Sequence, residues 1–183
     1  RWLFSQNVEN LRIYEEGDYS SPRTDVWGIS DLHLFEEANR ILCSINDKPF
    51  FAFIHLSGNH RPYTIPDDNR NFAMVSIDDD ELKKYGFSSL ASFNSFRFMD
   101  HSLGFFMRTA SKEKYFKNTL FIIFGDNGSQ GKSPHMPEAE KALEIGQYHV
   151  PFAIYSPGLI KQGKIFDIVA SQVDVLPTIA GMT

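Results

Sequence analysis

One short apolar segment constrains the fold more than any other part of the chain. Residues 118–128 read Asn-Thr-Leu-Phe-Ile-Ile-Phe-Gly-Asp-Asn-Gly, so an apolar run stops abruptly at Asp126 and Asn127 on a glycine turn. Such a run is typical of a strand that is buried on both faces, and the polar pair then emerges at its carboxyl end. Open α/β sheets bind their ligands at this end of the strands.

A second apolar run, residues 49–57, ends in the same way. It is followed by residues 58–62, which read Gly-Asn-His-Arg-Pro. Because the carboxyl ends of parallel strands meet at one edge of a sheet, we expect His60 and Asp126 to lie near a shared ligand. The two strand ends together predict an active site.

The rest of the chain alternates between helical and extended apolar patterns. Helical spacing predicts helices at residues 32–45, 88–114 and 138–145, and Ser171 caps a last predicted helix through Ala180. Short apolar runs predict strands at residues 11–14, 50–57, 119–125, 150–155 and 165–170. This order predicts an α/β fold, a mostly parallel sheet with helices on both faces, and a single domain over residues 1–183.

The composition excludes several classes of protein. The 183 residues are 42% apolar and include 17 Phe, which is enough for a core and argues against disorder. The net charge is −5 and no basic cluster interleaves with aromatic residues, so nucleic acid is not an expected partner. No apolar stretch approaches the roughly 20 residues that span a bilayer. The lone Cys43, inside a helical pattern, is interpreted as a small buried hydrophobe.

The Asp126–Asn127 pair has two interpretations. A carboxylate beside an amide oxygen is a ligand set that hard divalent cations prefer, and Gly128 allows the tight backbone that turns both side chains to one point. Asp-Asn-Gly is also a routine turn sequence without any ligand. The acidic run at residues 78–81 lacks the spaced oxygens of a calcium loop and is interpreted as a solvated face or a helix start.

The histidines also have alternatives. His60 is either a surface loop residue or a donor of a proton or hydrogen bond to an anionic ester oxygen, with Arg61 as an anion clamp. His55 lies inside the predicted strand and is interpreted as a core histidine. Residues 125–133 could suggest a phosphate-binding loop, but Asp126 occupies the position of the required first glycine and would repel phosphates.

Five blocks of sequence, taken in order, resemble one family. They are residues 25–31, 57–63, 124–128, 148–158 and 171–178. Their order is that of sulfatase-type members of the alkaline phosphatase superfamily, and the chain most resembles the lipoteichoic acid synthase-like phosphoglycerol transferases. The resemblance covers nearly the whole chain and places it in the carboxyl-terminal part of such a domain. It therefore implies a sulfatase-like fold that is incomplete.

The resemblance implies roles for particular residues. Asp126 and Asn127 are then metal ligands, and His60 contacts the transferred phosphoryl or sulfuryl group. His135 is similar to a second substrate-side histidine of the phosphoethanolamine transferases, with an exposed loop histidine as the alternative. The blocks at residues 148–151 and 174–177 are interpreted as scaffold, in which a proline fixes a strand entry and a polar residue caps a helix.

Two departures from the family pattern bear on the chemistry. The most similar transferases carry Asp-His where this chain has Asp126-Asn127, whereas arylsulfatases carry Asp-Asn, which favours manganese, magnesium or calcium over zinc. The family's nucleophile is a Thr, Ser or modified Cys near the start of the domain. Nothing here matches it, because residues 20–23, Ser-Ser-Pro-Arg, lack the required spacing.

The predicted function follows from these residues and the resemblance. We expect part of a metal-dependent phosphoryl or phosphoglycerol transferase, or of a sulfuric-ester hydrolase, that acts through a covalent enzyme intermediate. Its substrate would be a phosphate or sulfate ester, with a lipid-linked ester as one option, at the periplasmic or extracellular face of a bacterial cytoplasmic membrane. Because the chain begins at Arg1 rather than Met, the membrane segment is expected upstream. The alternative is a catalytically silent domain that binds a glycan or a lipid head group.

Overall fold

The computed structural model describes residues 2–45, 48–128 and 131–183. The chain divides into two compact units, Arg1–Tyr115 and Phe116–Thr183. The first unit contains the helices α1 (Trp2–Asn7), α2 (Asp31–Cys43), α3 (Asp79–Lys84) and α4 (Leu90–Ala110). The second unit contains β1 (Phe121–Phe124), α5 (Glu138–Ala142), β2 (Phe152–Tyr155) and α6 (Val175–Met182). The single domain over residues 1–183 stays a prediction.

The first unit is built on the packing of α2 against α4. Ser30 caps α2, since its Oγ accepts a hydrogen bond from the backbone N–H of His33 at 3.2 Å, and Ser89 caps α4 in the same way. The rings of Phe35 and Phe106 stack across the two helices at 4.8 Å between centroids. Both predicted helices are confirmed, because their apolar residues form one stripe that is buried between them.

A buried carboxylate fixes the segment that leads into α2. Glu37 Oε1 accepts hydrogen bonds from the backbone N–H and the hydroxyl of Ser20, and Arg40 Nη2 lies 2.6 Å from Oε2. Burial alone would raise the pKa of Glu37, but the hydrogen bonds from Ser20 and Arg40 outweigh it and lower the pKa to about 2. The acidic run at residues 78–81 begins α3, with Asp78 as its cap, which confirms the helix-start interpretation.

The second unit contains an antiparallel ladder of β1 and β2. Phe121 lies opposite Tyr155 and Phe124 lies opposite Phe152, and Pro151 directly precedes β2 as predicted. The alternating order predicted parallel neighbours, but the backbone N–H of Gly128 donates to the carbonyl of Gln147 at 2.8 Å. This contact brings the chain back beside the end of β1, so β2 starts there and runs in the opposite direction. The residues of β1 are half-buried rather than buried on both faces.

Three predicted strands were wrong in the part of the chain that the structure describes. Residues 11–14, 50–57 and 165–170 belong to no ladder there, and Phe51 and Phe53 remain 69% and 60% exposed. An apolar run becomes a strand only when a neighbouring strand satisfies its backbone, and no described segment does so. His55 is consequently exposed rather than in the core.

The interpretation of Cys43 was also wrong. Cys43 is the last residue of α2 and lies on an exposed face of the helix. Its thiol is 4.0 Å from Oδ1 of Asn39, which lies one turn earlier. Separately, in residues 2–45, 48–128 and 131–183 no helix combines the length and the apolar character needed to cross a bilayer.

Candidate functional site

The predicted metal ligands lie on an exposed turn directly after β1. Asp126 and Asn127 are both exposed, and Asp126 Oδ1 accepts a hydrogen bond from the backbone N–H of Asn127 at 2.8 Å. The strand therefore delivers a carboxylate and an amide to solvent as the sequence predicts. We call residues 125–128 the acidic turn.

The acidic turn is held mainly by backbone groups. A Cβ atom at Gly128 would overlap the carbonyl oxygen of Gly146 and would lie 3.1 Å from the carbonyl oxygen of His149. Only glycine allows this close approach of two backbone segments. On the other side, Gln172 Nε2 donates to the carbonyl oxygens of Gly125 at 2.9 Å and of Asp126 at 2.7 Å.

The donor set of the acidic turn fits part of the coordination sphere of a hard cation. Carboxylate and amide oxygens are the ligands that magnesium, manganese and calcium take, in sets of six or more that include water. Across the described residues no group of three His, Cys, Asp or Glu side chains is arranged to hold a metal ion. The acidic turn would therefore supply two ligands rather than a whole site.

His60 lies on a second exposed turn, in the first unit, and an indole ring covers one face of its imidazole. The ring centroids of Trp27 and His60 are 4.3 Å apart and the rings are tilted by 27°. Trp27 Nε1 also donates to the carbonyl oxygen of Arg61 at 2.7 Å. The turn is closed by a hydrogen bond from the backbone N–H of Tyr63 to the carbonyl of His60 at 2.9 Å. We call residues 57–63 the histidine turn.

A buried carboxylate holds the start of the histidine turn. Asp31 is 2% exposed, and its Oδ1 accepts hydrogen bonds from the backbone N–H groups of Ser57 and Gly58, both at 3.0 Å. Asp31 Oδ2 is buried without a hydrogen-bond partner, and a Cβ at Gly58 would lie 2.5 Å from it. Burial raises the pKa of Asp31, and the hydrogen bonds from Ser57 and Gly58 oppose that rise. Ser95 Oγ completes the clamp by donating to the carbonyl of Gly58.

The predicted site residues fall into two groups. His60 and Arg61 are neighbours in the first unit, and Asp126, Asn127 and His135 belong to the second. His135 is exposed in a loop, where its backbone N–H donates to Ser133 Oγ at 3.3 Å. The proximity of His60 to Asp126 stays a prediction, as do the roles of all five residues.

Three residues that hold these turns were not predicted as site residues. Trp27 and Asp31 hold the histidine turn and Gln172 holds the acidic turn, but each acts across a long stretch of chain, up to 47 residues between Gln172 and Gly125. All three lie in blocks that carry the family resemblance, at residues 25–31 and 171–178. Those blocks were the available signal.

Comparisons with a family model, with curated proteins and with solved structures all support the family that the sequence resembles. The sulfatase family model matches residues 3–183. The chain is 26% identical over 179 residues to the lipoteichoic acid synthase-like YvgJ of Bacillus subtilis (strain 168), covering 92% of this chain and 28% of that protein. It is 33% identical over 92 residues to an arylsulfatase of Clostridium perfringens, covering 49% of this chain and 19% of the arylsulfatase.

Two solved structures share the fold. A protein in the alkaline phosphatase superfamily from Vibrio parahaemolyticus superimposes with a TM-score of 0.68 at 26% identity, over 91% of this chain and 37% of the other. The lipoteichoic acid synthase LtaP of Listeria monocytogenes superimposes with a TM-score of 0.59 at 21% identity, over 80% of this chain and 37% of LtaP. These likenesses confirm the α/β fold class and the predicted resemblance.

The chain is much shorter than the proteins it matches. It spans 28% of the length of the Bacillus protein and 37% of each solved chain. The family model nevertheless extends over nearly all of its residues. The chain belongs to the sulfatase family.

Proposed function

We propose that this chain is part of a metal-dependent phosphoryl or phosphoglycerol transferase, or of a sulfuric-ester hydrolase, that works through a covalent enzyme intermediate. One observation carries the proposal: a sulfatase-family chain presents Asp126 and Asn127 together on the exposed turn that ends β1. A lipoteichoic acid synthase-like protein and an arylsulfatase both occur among its relatives, which supports a shared ester chemistry without choosing between the two reactions.

Asp126 and Asn127 would hold the metal ion, and their oxygen donors favour manganese, magnesium or calcium over zinc. When bound, such a cation neutralises the oxygens of an ester and lowers the pKa of a hydroxyl nucleophile. The chain's own contribution is orientation. Gln172 and the packing of Gly128 fix the backbone that carries both ligands.

His60 would act at the substrate. Its imidazole can donate a hydrogen bond or a proton to an anionic oxygen of the transferred group, and the guanidinium of the next residue, Arg61, would pair with the same charge. His135 would contact the substrate as a further donor. The exposure of all three side chains supports this role, because a ligand from solvent can reach them.

The substrate would be a phosphate or sulfate ester of the cell envelope. The names of two relatives, a lipoteichoic acid synthase-like protein and a lipoteichoic acid synthase, favour a lipid-linked donor and a site outside the cytoplasmic membrane. The net charge of −5 does not favour nucleic acid as a partner.

A second candidate is a catalytically silent domain that binds a glycan or a lipid head group. One observation favours it: the hydroxyl groups of Ser20 and Ser21 both donate to Glu37 Oε1, so these serines serve structure rather than attack an ester. In the part of the chain that the structure describes no residue matches the family's nucleophile, which the resemblance places near the start of the domain.

Activity of the whole gene product that contains these residues distinguishes the candidates. We expect it to release product from para-nitrophenyl sulfate, from para-nitrophenyl phosphate or from a fluorescent lipid with a phosphoglycerol head group, when manganese, magnesium or calcium is supplied. Asp126→Ala and His60→Ala should each reduce the rate at least about a hundredfold, as loss of a group that stabilises transition-state charge does. Full activity in both variants would refute the site, and no activity with any of the three metals would favour the silent domain.

A further inference from the structure

The Trp27 side chain contacts the His60 ring, and its role, inferred below, rests on the proposed function. Trp27 is 51% exposed, although the indole is the largest apolar side chain and usually loses most of its surface on folding. Its ring instead stacks on another exposed ring, the imidazole of His60, at 4.3 Å. Burial in a core does not explain this arrangement.

Trp27 is itself held rigidly by the turn that carries it. The backbone N–H of Trp27 donates to Asp25 Oδ1 at 2.8 Å, and Arg23 donates to the carbonyl oxygens of Asp25 at 2.6 Å and of Val26 at 3.1 Å. Gly28 follows with a φ of +111°, a backbone conformation that side chains disfavour. The indole therefore starts from a fixed backbone.

The indole contacts the histidine turn at two points. One face stacks on the imidazole of His60, and Nε1 donates to the carbonyl oxygen of Arg61 at 2.7 Å. These two contacts, to residues 33 and 34 positions away in sequence, restrict both the imidazole ring and the backbone beside it. A stacked ring that also bonds the next peptide leaves the imidazole few orientations.

We propose that Trp27 is a positioning residue for His60, which sets the direction in which the imidazole donates to the substrate. Arg61 gains from the same contact, since its backbone is fixed by the indole N–H. Trp27 does not need to touch the reacting atoms for this role. Its contribution is orientation, which is worth most when a donor must meet developing charge at one position.

The stack can be tested without any activity, by NMR of the histidine ring protons in the whole gene product. The indole ring current should shift the His60 ring protons upfield, with the signal assigned by its absence in His60→Gln. Trp27→Leu should move that signal downfield, and Trp27→Phe should leave most of the shift. Phe51→Leu, a change at another exposed aromatic residue of the first unit, is the matched control and should leave the signal unchanged. An unchanged His60 signal in Trp27→Leu would overturn the proposal.

Ester cleavage then tests whether the stack matters for function. Trp27→Leu should lower kcat about tenfold with little change in KM, and Trp27→Phe should recover most of the loss. In a His60→Ala background Trp27→Leu should have a much smaller effect, which comes only through Arg61, because the ring that it positions is absent. Equal losses in both backgrounds, or normal kcat in Trp27→Leu while His60→Ala is impaired, would overturn the positioning role. Normal activity in His60→Ala would instead show that the proposed function of His60 has failed, and the positioning role with it.

Discussion

The histidine turn and the acidic turn are both exposed, but different kinds of contact hold them. The histidine turn is fixed by side chains from distant parts of the first unit, which are the Asp31 carboxylate, the Ser95 hydroxyl and the Trp27 indole. The acidic turn is fixed by backbone against backbone at Gly128, with one added amide from Gln172. The histidine turn therefore depends on the identity of its supporting side chains, and the acidic turn depends on the absence of a side chain at Gly128.

This difference suggests how each turn responds to change. Side-chain clamps can be removed one at a time, and each removal costs a bond or two while the backbone keeps its path. A close approach of two backbones is all or none, since any Cβ forces the segments apart. Substitutions in the two regions should therefore differ in size.

The largest effect is expected at Gly128. In Gly128→Ala the new methyl group would overlap the Gly146 carbonyl, which is backbone and cannot rotate away, so we expect the free energy of unfolding to fall by about 3 kcal/mol or more. Chemical denaturation of the whole gene product measures this. Gly163→Ala is the control, because a Cβ there meets nothing within 4 Å. Equal stability of the two variants would show that the acidic turn is not held by close backbone packing.

A smaller effect is expected at Asp31. Asp31→Ala leaves the backbone N–H groups of Ser57 and Gly58 without their acceptor, which should cost about 2 kcal/mol. Hydrogen exchange of a peptide that covers residues 50–63 should speed up, while exchange at residues 121–128 should not. Faster exchange in both segments would contradict a local clamp.

The pH dependence of Asp31 sharpens this prediction. Because burial raises the folded pKa above the ordinary value of 3.8, the protonated form is favoured in the folded state. The stability that this group contributes is therefore full below pH 3.8 and is lost as the pH rises through the folded pKa. Relative to Asp31→Asn, the wild-type protein should lose stability as the pH is raised, in denaturation curves measured across that range. An advantage that grows with pH would contradict it.

Parts of the fold could be predicted from sequence because their signals are local. The helical spacing of residues 32–45 and the short apolar run before Asp126 can each be recognised from neighbouring residues alone. The helix α2 and the strand β1 lie where these patterns indicate. The run at residues 50–57 is also mostly apolar, but it is not a strand, since a strand also needs a neighbouring strand. The clamps at Asp31 and Trp27 join residues 26 to 34 positions apart, and no local pattern specifies such pairs.

The smallest of these effects is expected at Gln172. Gln172→Met keeps the length of the side chain but removes the amide that donates to the carbonyls of Gly125 and Asp126, which should cost about 1 kcal/mol because the site is exposed. Manganese affinity of the whole gene product, measured by calorimetry, should weaken by a few fold. Val173→Met, at an exposed neighbour, is the control and should leave the affinity unchanged. A loss of unfolding free energy as large as that expected for Gly128→Ala would show that the acidic turn, like the histidine turn, is held mainly by a side chain.

The central claim is that the acidic turn binds the metal and the histidine turn acts on the substrate. It is tested most directly by titrating the whole gene product with manganese and comparing Asp126→Ala with His60→Ala. We expect Asp126→Ala to lose manganese binding, because it removes a charged ligand, and His60→Ala to bind manganese as the wild-type protein does while it fails to cleave the ester. Undiminished manganese binding by Asp126→Ala would contradict the central claim that the acidic turn after β1 holds the metal.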